Sequence, residues 1–437
     1  AIMTRTLGPE GFGGYSTIIA FLQFFGITAN FGLLLTANRL LGAASNKEES
    51  GRIMSNLLTL RFFSALIFLT LAPFIALLFP YPLAVKQAMF ITALSFLAIS
   101  LAETLVPIFQ KELRMGYVAL AEVLARFILL AGVALAAYFH AGLLWFMVAI
   151  VAGSVAQFII LRAFTGKFVH LQWAFDWRIW RKIIQISWPI GISILFNLMY
   201  LKADTIILST LRSQTEVGFY GAAYRVLDQL TAFATMFIGL LIAPLAAAWV
   251  SRDQVKFRRI YQRAFDVYAA ISFPLLVAAW LVGQPVMTFV AGRDFTVSGD
   301  ILAVLMLGMT FVFFSTLFGH VVVVVNKQRP MIWGYVATAL VGLALYALLI
   351  PRYGMFGAAW ATVSTEVLIM ILTFAMVWRT TRAPLELTIF SKSVLAAIIL
   401  GLFLYLTRAM PLAIPIFGGA LIYFISLYAL GGIKKQT

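Results

Sequence analysis

The stretch "YLKADTIILSTLRSQTEVGFYGAAYRVLD" (residues 200–228) joins two apolar segments through a short polar turn. Charged residues lie inside both segments: Lys202 and Asp204 in the first, and Arg225 and Asp228 in the second. Both segments belong to apolar runs of about 20 residues or more, the length of helix that crosses the hydrocarbon of a bilayer. The stretch therefore predicts two transmembrane helices that carry charge within the membrane.

The composition extends this interpretation to the whole chain. Of the 437 residues, 63% are hydrophobic and 11% are charged. Soluble globular domains are about 45–50% apolar, so a soluble fold could not bury this much apolar surface. The chain is predicted to be an all-α, polytopic membrane protein. It contains no cysteine, which excludes disulfides and thiolate chemistry.

Thirteen apolar runs are long enough to span the bilayer. The loops between them alternate in basic content, with 21 lysines and arginines in one set and 6 in the other. Because cytoplasmic loops are enriched in Lys and Arg, the first set, with the C-terminus, is predicted to be cytoplasmic. The short loops leave no room for a soluble catalytic domain. The runs are residues 15–37, 56–79, 87–109, 117–139, 142–163, 186–210, 218–242, 266–290, 300–325, 331–350, 355–378, 388–407 and 411–431.

Two connections combine aromatic residues with cations. They are "QWAFDWRIWRKIIQ" (residues 172–185), with Trp173, Trp177 and Trp180 at helical spacing, and "SRDQVKFRRIYQRAFD" (residues 251–266), with Phe257, Ile260, Tyr261 and Phe265. The pattern favours amphipathic helices at the membrane surface over partner-binding sites. The net charge of +16 is then explained by the basic residues that orient the chain in the membrane and by attraction to anionic lipid. No feature indicates binding of nucleic acid.

Two segments share a short repeat. "PEGFGGYSTIIAF" (residues 9–21) and "QTEVGFYGAAYRV" (residues 214–226) align Gly13 with Gly218 and Tyr15 with Tyr220 at one constant offset. Each segment enters a predicted span from the non-cytoplasmic side. Internal repeats of this kind are typical of transporters built from two related halves.

Three blocks of the chain resemble the bacterial polysaccharide flippases of the Wzx type, in the MATE/MOP transporter superfamily. The blocks are "RTLGPEGFGGYS" (residues 5–16), the stretch of residues 200–228, and "VNKQRPMIW" with "LLIPRYGMFGAAWATVSTE" (residues 325–333 and 348–366). The resemblance implies fourteen helices, the first of them before Ala1, in two pseudo-symmetric six-helix lobes plus two C-terminal helices. The implied boundaries are 1–163 for the N-terminal lobe, 164–185 for an interfacial linker, 186–378 for the C-terminal lobe and 379–437 for the last helix pair.

The same resemblance implies a function. The protein is expected to be a flippase of the bacterial inner membrane, not an enzyme, that carries a polyprenyl-pyrophosphate-linked oligosaccharide outward by ion-coupled alternating access. No cofactor is implied, and a monomer is expected. Membrane lipids surround it, and a polysaccharide polymerase and a chain-length regulator are candidate partners. An ion-coupled exporter of organic cations is the alternative within the superfamily, since acids slightly outnumber cations inside the spans.

Charged residues within spans are costly and are candidates for function. The candidate substrate-binding cations are Arg61, Arg126, Lys202 and Arg225 within spans and Arg39 just past the end of one, and the candidate coupling or charge-pairing acids are Glu122, Asp204, Asp228 and Glu366. Glu103 is a further acid within a span. No histidine has a second ligand at metal spacing, so no metal site is predicted. Nor does any glycine-rich loop have the pattern of a nucleotide site.

Simpler roles remain open for several of these residues. Glu122 and Arg126 are four apart on one helix and can pair with each other, while Arg61 can snorkel to the cytoplasmic surface instead of facing a cavity. Lys202 and Asp204 point about 200° apart around a helix, so a bridge from Asp204 to Arg225 would free Lys202 for substrate. Glu366 is either a buried hydrogen-bonded acid or a protonation site.

Overall fold

The computed structural model describes residues 1–30, 32–44 and 46–432, apart from the side chains of residues 34, 35, 43, 189, 190 and 192–202. Throughout these residues the regular structure is helical. A 3-10 turn at Arg293–Phe295 and a π-helical turn at Ile414–Gly418 supplement the α-helices. The α-helices are α1 (Ile2–Asn30), α2 (Leu33–Ala43), α3 (Lys47–Ala76), α4 (Leu83–Lys111), α5 (Gly116–Tyr138), α6 (Leu143–Thr165), α7 (Trp177–Leu211), α8 (Gln214–Val250), α9 (Gln254–Ala291), α10 (Ser298–Val324), α11 (Gln328–Thr381), α12 (Thr388–Thr407) and α13 (Gly419–Ala429).

The predicted all-α membrane architecture is confirmed. In the described part of the chain, ten helices are long and apolar enough to cross a membrane. The helix α11 contains two predicted spans, because its backbone leaves helical geometry at Gly354, with φ 57° and ψ −133°. Tyr346 and Thr362, on opposite sides of Gly354, are hydrogen-bonded at 3.3 Å. The two parts of α11 therefore fold back on each other as an antiparallel pair.

The first predicted span, residues 15–37, is divided between two helices. The helix α1 ends at Asn30, and α2 begins at Leu33 after Gly32, whose φ of 80° is left-handed. An earlier kink in α1 lies at Gly8, with φ 65°, directly before Pro9. Glycine reaches positive φ without steric cost, which explains why both breaks occur at glycine.

The chain forms two compact units, residues 2–218 and residues 219–437 together with Ala1. In the first unit, α7 packs on α1, α2 and α3. A hydrogen bond of 2.7 Å joins Thr36 of α2 to Ser187 of α7, beside the buried side chains of Leu40 and Ile183. The lobe and linker boundaries expected from the resemblance stay a prediction.

The glycines of the predicted repeat meet inside the first unit. A Cβ atom on Gly13 would lie 1.7 Å from the carbonyl oxygen of Gln214, and a Cβ on Gly218 would lie 1.9 Å from that of Pro9. Each glycine thus contacts the residue four positions before the other, so the contact is reciprocal. Thr17 donates a hydrogen bond of 2.8 Å to the side chain of Gln214 at the same crossing. Only glycine permits this approach of the two backbones.

The second unit has an aromatic core at one end of α9. Phe257, Tyr261 and Phe265 are buried, and the ring of Phe265 lies 5.1 Å from that of Phe314 on α10. The interpretation of residues 251–266 as a membrane-surface anchor is therefore wrong, because these apolar side chains pack against protein. The sequence pattern could not distinguish a helix that packs on lipid from one that packs on protein, because both have the same amphipathic spacing of apolar residues.

The other segment predicted as a surface helix, residues 172–185, is helical only from Trp177. Asp176 caps the helix by accepting hydrogen bonds from the backbone nitrogens of Arg178 and Ile179. Trp173 precedes the helix and its ring packs 5.1 Å from that of Phe62 on α3. Trp173 and Trp177 are both largely exposed, as an interfacial location requires.

Candidate functional site

Arg61 is the most deeply buried of the predicted site cations whose side chains the structure describes. It lies on α3 with 3% of its surface exposed. Around the helix it is about 200° from the exposed Phe63 and about 220° from the exposed Phe74, at roughly 100° per residue. Arg61 therefore points away from the exposed apolar stripe of α3. Burial of the side chain disfavours the alternative in which it snorkels to the cytoplasmic surface.

One nitrogen of the Arg61 guanidinium, Nη1, is buried without a hydrogen-bond partner. Leaving a buried donor unpaired costs about 1–3 kcal/mol, and more for a charged group. The other described side chains therefore offer Nη1 no acceptor.

Glu103 on α4 is the acid that interacts electrostatically with Arg61. Its side chain is exposed, and the surrounding helices lie close by. Glu103 is about 180° around α4 from the exposed Leu94, so it too points away from the apolar outer stripe of its helix. Its carboxylate oxygens are more than 4.0 Å from the Arg61 nitrogens, beyond the limit of a salt bridge. We call this pair the Arg61–Glu103 site.

An extended segment holds α3 in place next to this site. The backbone nitrogens of Gln172, Ala174 and Asp176 donate hydrogen bonds to Ser55, Thr59 and Asn56 of α3, at 3.2, 3.2 and 2.8 Å respectively. The spacing of alternate residues is that of an extended strand, so these donors face one side. Thr59 and Asn56 lie within about a turn and a half of Arg61. The segment therefore fixes the position of the helix that carries the guanidinium.

The segment ends at an ion pair between Arg52 and Asp176, 2.6 Å apart. The hydrogen bond from Arg52 is the main cause that lowers the pKa of Asp176, assisted by the bonds from the backbone of α7. Asp176 therefore stays ionised through neutral and mildly acidic pH. The same carboxylate joins α3 to the first turn of α7.

Glu122 and Arg126 form the ion pair that their spacing predicts, with 2.6 Å between Arg126 Nη2 and Glu122 Oε1. The side chains are 73% exposed for Arg126 and 47% for Glu122. Each charge therefore has a partner on the same helix. Arg39 on α2 is exposed as well.

The charges of the stretch of residues 200–228 are divided between the two units. Asp204 is 1% exposed in the first unit, and its Oδ1 accepts a hydrogen bond of 2.6 Å from the backbone nitrogen of Thr205. The side chain of Lys202 lies outside the described residues. In the second unit, Arg225 is exposed and Asp228 is half-buried on α8. The bridge from Asp204 to Arg225 stays a prediction.

Glu366 is 8% exposed on α11 of the second unit. One turn before it, Thr362 is hydrogen-bonded to both Tyr220 and Tyr346 at 3.3 Å. Burial of the carboxyl agrees with both of its predicted roles, the hydrogen-bonded acid and the protonation site. Within the described residues, no group of three His, Cys, Asp or Glu side chains could hold a metal ion.

Sequence reasoning named Arg61 among several candidate cations, gave Glu103 no role and missed the extended segment. Glu103 and Arg61 lie on different helices, so no periodicity relates them. The one available signal was that each lies opposite the most apolar stripe of its own helix. The segment of residues 172–176 looked helical because Trp173 shares the spacing of a helix with Trp177 and Trp180, which follow it.

Comparisons with known proteins agree with this architecture. A family model described as "Polysaccharide biosynthesis protein" matches residues 1–250. The chain is 25% identical over 378 residues to a Shigella dysenteriae protein named "Putative O-antigen transporter", covering 84% of this chain and 92% of that protein.

Two solved structures share the fold. One is the lipid II flippase MurJ in an inward closed conformation, with a TM-score of 0.76, 15% identity and 96% of each chain covered. The other is an inward-facing multidrug resistance MATE family transporter of the MOP superfamily, with a TM-score of 0.68, 14% identity, and 87% of this chain and 92% of that chain covered. At these identities the similarity shows the fold alone.

Proposed function

Because the chain belongs to the family of polysaccharide biosynthesis proteins, we propose that it is a flippase for a polyprenyl-pyrophosphate-linked oligosaccharide. It moves the lipid from the cytoplasmic to the outer leaflet by alternating access, coupled to an ion. The relative from Shigella dysenteriae, named as an O-antigen transporter, supports this substrate class over most of the chain. The carrying observation within the structure is Arg61, a buried guanidinium with an unpaired nitrogen.

The chemistry of the substrate matches that nitrogen. A pyrophosphate carries two or more negative charges and many acceptor oxygens, and guanidinium binds phosphate through parallel hydrogen bonds. In this structure Nη1 has no exposed surface, so the helix rearrangement of alternating access must open it before a phosphate oxygen becomes the acceptor that it lacks. The unpaired donor then contributes to binding, because the free-energy cost of leaving it without an acceptor in the free protein is removed when the substrate binds. Lys202, Arg39, Arg126 and Arg225 are the further candidate cations for the headgroup.

The protein acts in the bacterial inner membrane with its C-terminus in the cytoplasm, as the distribution of Lys and Arg among the loops supports. It works as a monomer and catalyses no covalent reaction. A polysaccharide polymerase and a chain-length regulator are its proposed partners.

The test is transbilayer movement in liposomes that contain the purified full chain. A fluorescent polyprenyl pyrophosphate oligosaccharide placed in the inner leaflet should become accessible to a membrane-impermeant reagent faster than in protein-free liposomes. Equal rates with and without protein, together with no binding of the lipid, would refute the proposal.

The second candidate is an ion-coupled exporter of organic cations, favoured by the similarity to the MATE fold and by the buried acid Glu366. The two functions give opposite phenotypes. Deletion of a flippase gene removes surface glycan and leaves drug susceptibility unchanged. Deletion of an exporter raises susceptibility to cationic drugs and leaves the glycan intact.

A further inference from the structure

The Arg61–Glu103 site contains an acid that binding of pyrophosphate does not explain. A carboxylate repels phosphate, so a site for phosphate alone would be stronger without it. Nor does Glu103 neutralise Arg61 by direct contact, because the two are more than 4.0 Å apart. The acid therefore needs a second explanation.

Geometry limits what Glu103 can contact. It faces away from Leu94 and the apolar stripe of α4, and its side chain is exposed. Arg61 faces away from the apolar stripe of α3, the helix that packs against α4, and its charge interacts with that of Glu103. The acid is thus positioned for a polar ligand that also contacts Arg61.

A ligand that satisfies both residues must offer acceptors to one and donors to the other. Arginine has donors only, and an ionised carboxylate has acceptors only. In a polyprenyl-pyrophosphate glycan, the phosphate oxygens are acceptors, and the adjoining sugar offers hydroxyl donors. The junction of phosphate and first sugar is the part of this substrate class that presents both over a short distance.

We propose that the Arg61–Glu103 site recognises this junction, with Arg61 on the phosphate and Glu103 accepting a hydrogen bond from the first sugar. The inference rests on the proposed function and adds to it a residue that determines specificity. Glu103 selects glycosylated lipid, because sugar-free pyrophosphate meets its charge without supplying a donor. Polyprenyl pyrophosphate without a sugar is therefore rejected at the same site.

The test compares two probes: polyprenyl pyrophosphate bearing one N-acetylhexosamine, and sugar-free polyprenyl pyrophosphate. Their affinities are measured for the full chain in nanodiscs, and the ratio of the two is the readout. Glu103→Ala removes charge and acceptor, whereas Glu103→Gln keeps an acceptor oxygen. Glu112→Gln, at the end of the same helix, is the matched control.

The wild-type protein should prefer the glycosylated probe. Glu103→Ala should lower this preference about tenfold or more, because a hydrogen bond to the sugar is lost while repulsion of the bare pyrophosphate is relieved. Glu103→Gln should keep part of the preference, and Glu112→Gln should keep all of it. If the alanine variant does not accumulate, the reduced preference of Glu103→Gln tests the proposal in its place.

Equal changes in affinity for both probes would overturn the proposal, because Glu103 would then act on the phosphate charge alone. An unchanged preference would overturn it as well. Both results differ from failure of the proposed function, in which the wild-type protein binds neither probe.

Discussion

Replacing Arg61 with methionine should separate stability from function. Arg61→Met keeps an unbranched side chain of similar length and removes the charge. Arg61 is 3% exposed, and its Nη1 has no partner. The substitution therefore removes a buried unpaired donor, which costs about 1–3 kcal/mol in the native protein. The variant should be at least as stable as the wild type.

Two features of the site set the sign of this prediction. Removing one partner of a buried ion pair is normally destabilising, because the other charge stays buried and uncompensated. Glu103 is exposed and is not in contact with Arg61, so it does not become a buried, uncompensated charge when the guanidinium is removed. The stability gained by removing the unpaired Arg61 donor is therefore not offset by a destabilised Glu103 carboxylate.

Binding should change in the opposite direction. A hydrogen bond to a charged group contributes about 1.5–3 kcal/mol, which corresponds to roughly a 10–100-fold loss of affinity for the pyrophosphate lipid. Arg61→Lys should lose less, since it keeps the charge but not the planar fork of donors. The rate of transbilayer movement at low lipid concentration should fall in the same order.

The assays are thermal unfolding in detergent and lipid binding in nanodiscs, on the same preparations. Arg126→Met is the control for stability, because it breaks an exposed ion pair and should change the free energy of unfolding by less than about 1 kcal/mol. An Arg61→Met protein that unfolds more easily than the wild type and binds lipid equally well would refute the reasoning. Arg61 would then be a structural residue.

Three other changes have defined outcomes. Gly13→Ala should abolish accumulation of folded protein, because its Cβ would meet the backbone of Gln214, whereas Gly42→Ala, with open space around it, should accumulate normally on a fluorescence size-exclusion profile. Asp176→Ala should lower the melting temperature at neutral pH. Because the folded-state pKa of Asp176 is lowered, the difference from wild type should be complete above the ordinary aspartate pKa of about 4 and vanish as the pH falls through the lower folded value. Lys202→Ala should slow transport without loss of protein, while Asp204→Asn, at a side chain only 1% exposed, should reduce abundance at least as much as transport.

Helix positions could be predicted from the sequence because apolar length alone specifies a membrane span. The break at Gly354 falls between two predicted spans, whereas the break at Gly32 falls inside the predicted span of residues 15–37 and was missed. The extended segment of residues 172–176 could not be predicted. Its backbone donors are satisfied by Ser55, Asn56 and Thr59, which lie more than a hundred residues away in the chain.

The candidate site was predictable only in part, for a related reason. Charge within a span marks a residue as costly, and that criterion selected Arg61 together with all the other intramembrane charges. Which of them already has a partner depends on packing between helices. Glu122 and Arg126 were an exception, because their partner lies on the same helix four residues away.

Burying a charged residue costs free energy, and a hydrogen-bond or ion-pair partner can offset that cost. Asking which charged residues have such a partner identifies the candidate site better than counting the charges. Arg126 is paired with Glu122, and Asp204 accepts bonds from the backbone and hydroxyl of Thr205. Arg61 differs, because a buried nitrogen of its guanidinium has no acceptor and the nearby acid stays beyond contact. A transporter must bind its substrate and then release it. A cation that already has a partner would have to break that ion pair in order to bind the phosphate. A cation with an unpaired donor gains an acceptor when the phosphate binds. This difference favours Arg61 as the first contact of the phosphate.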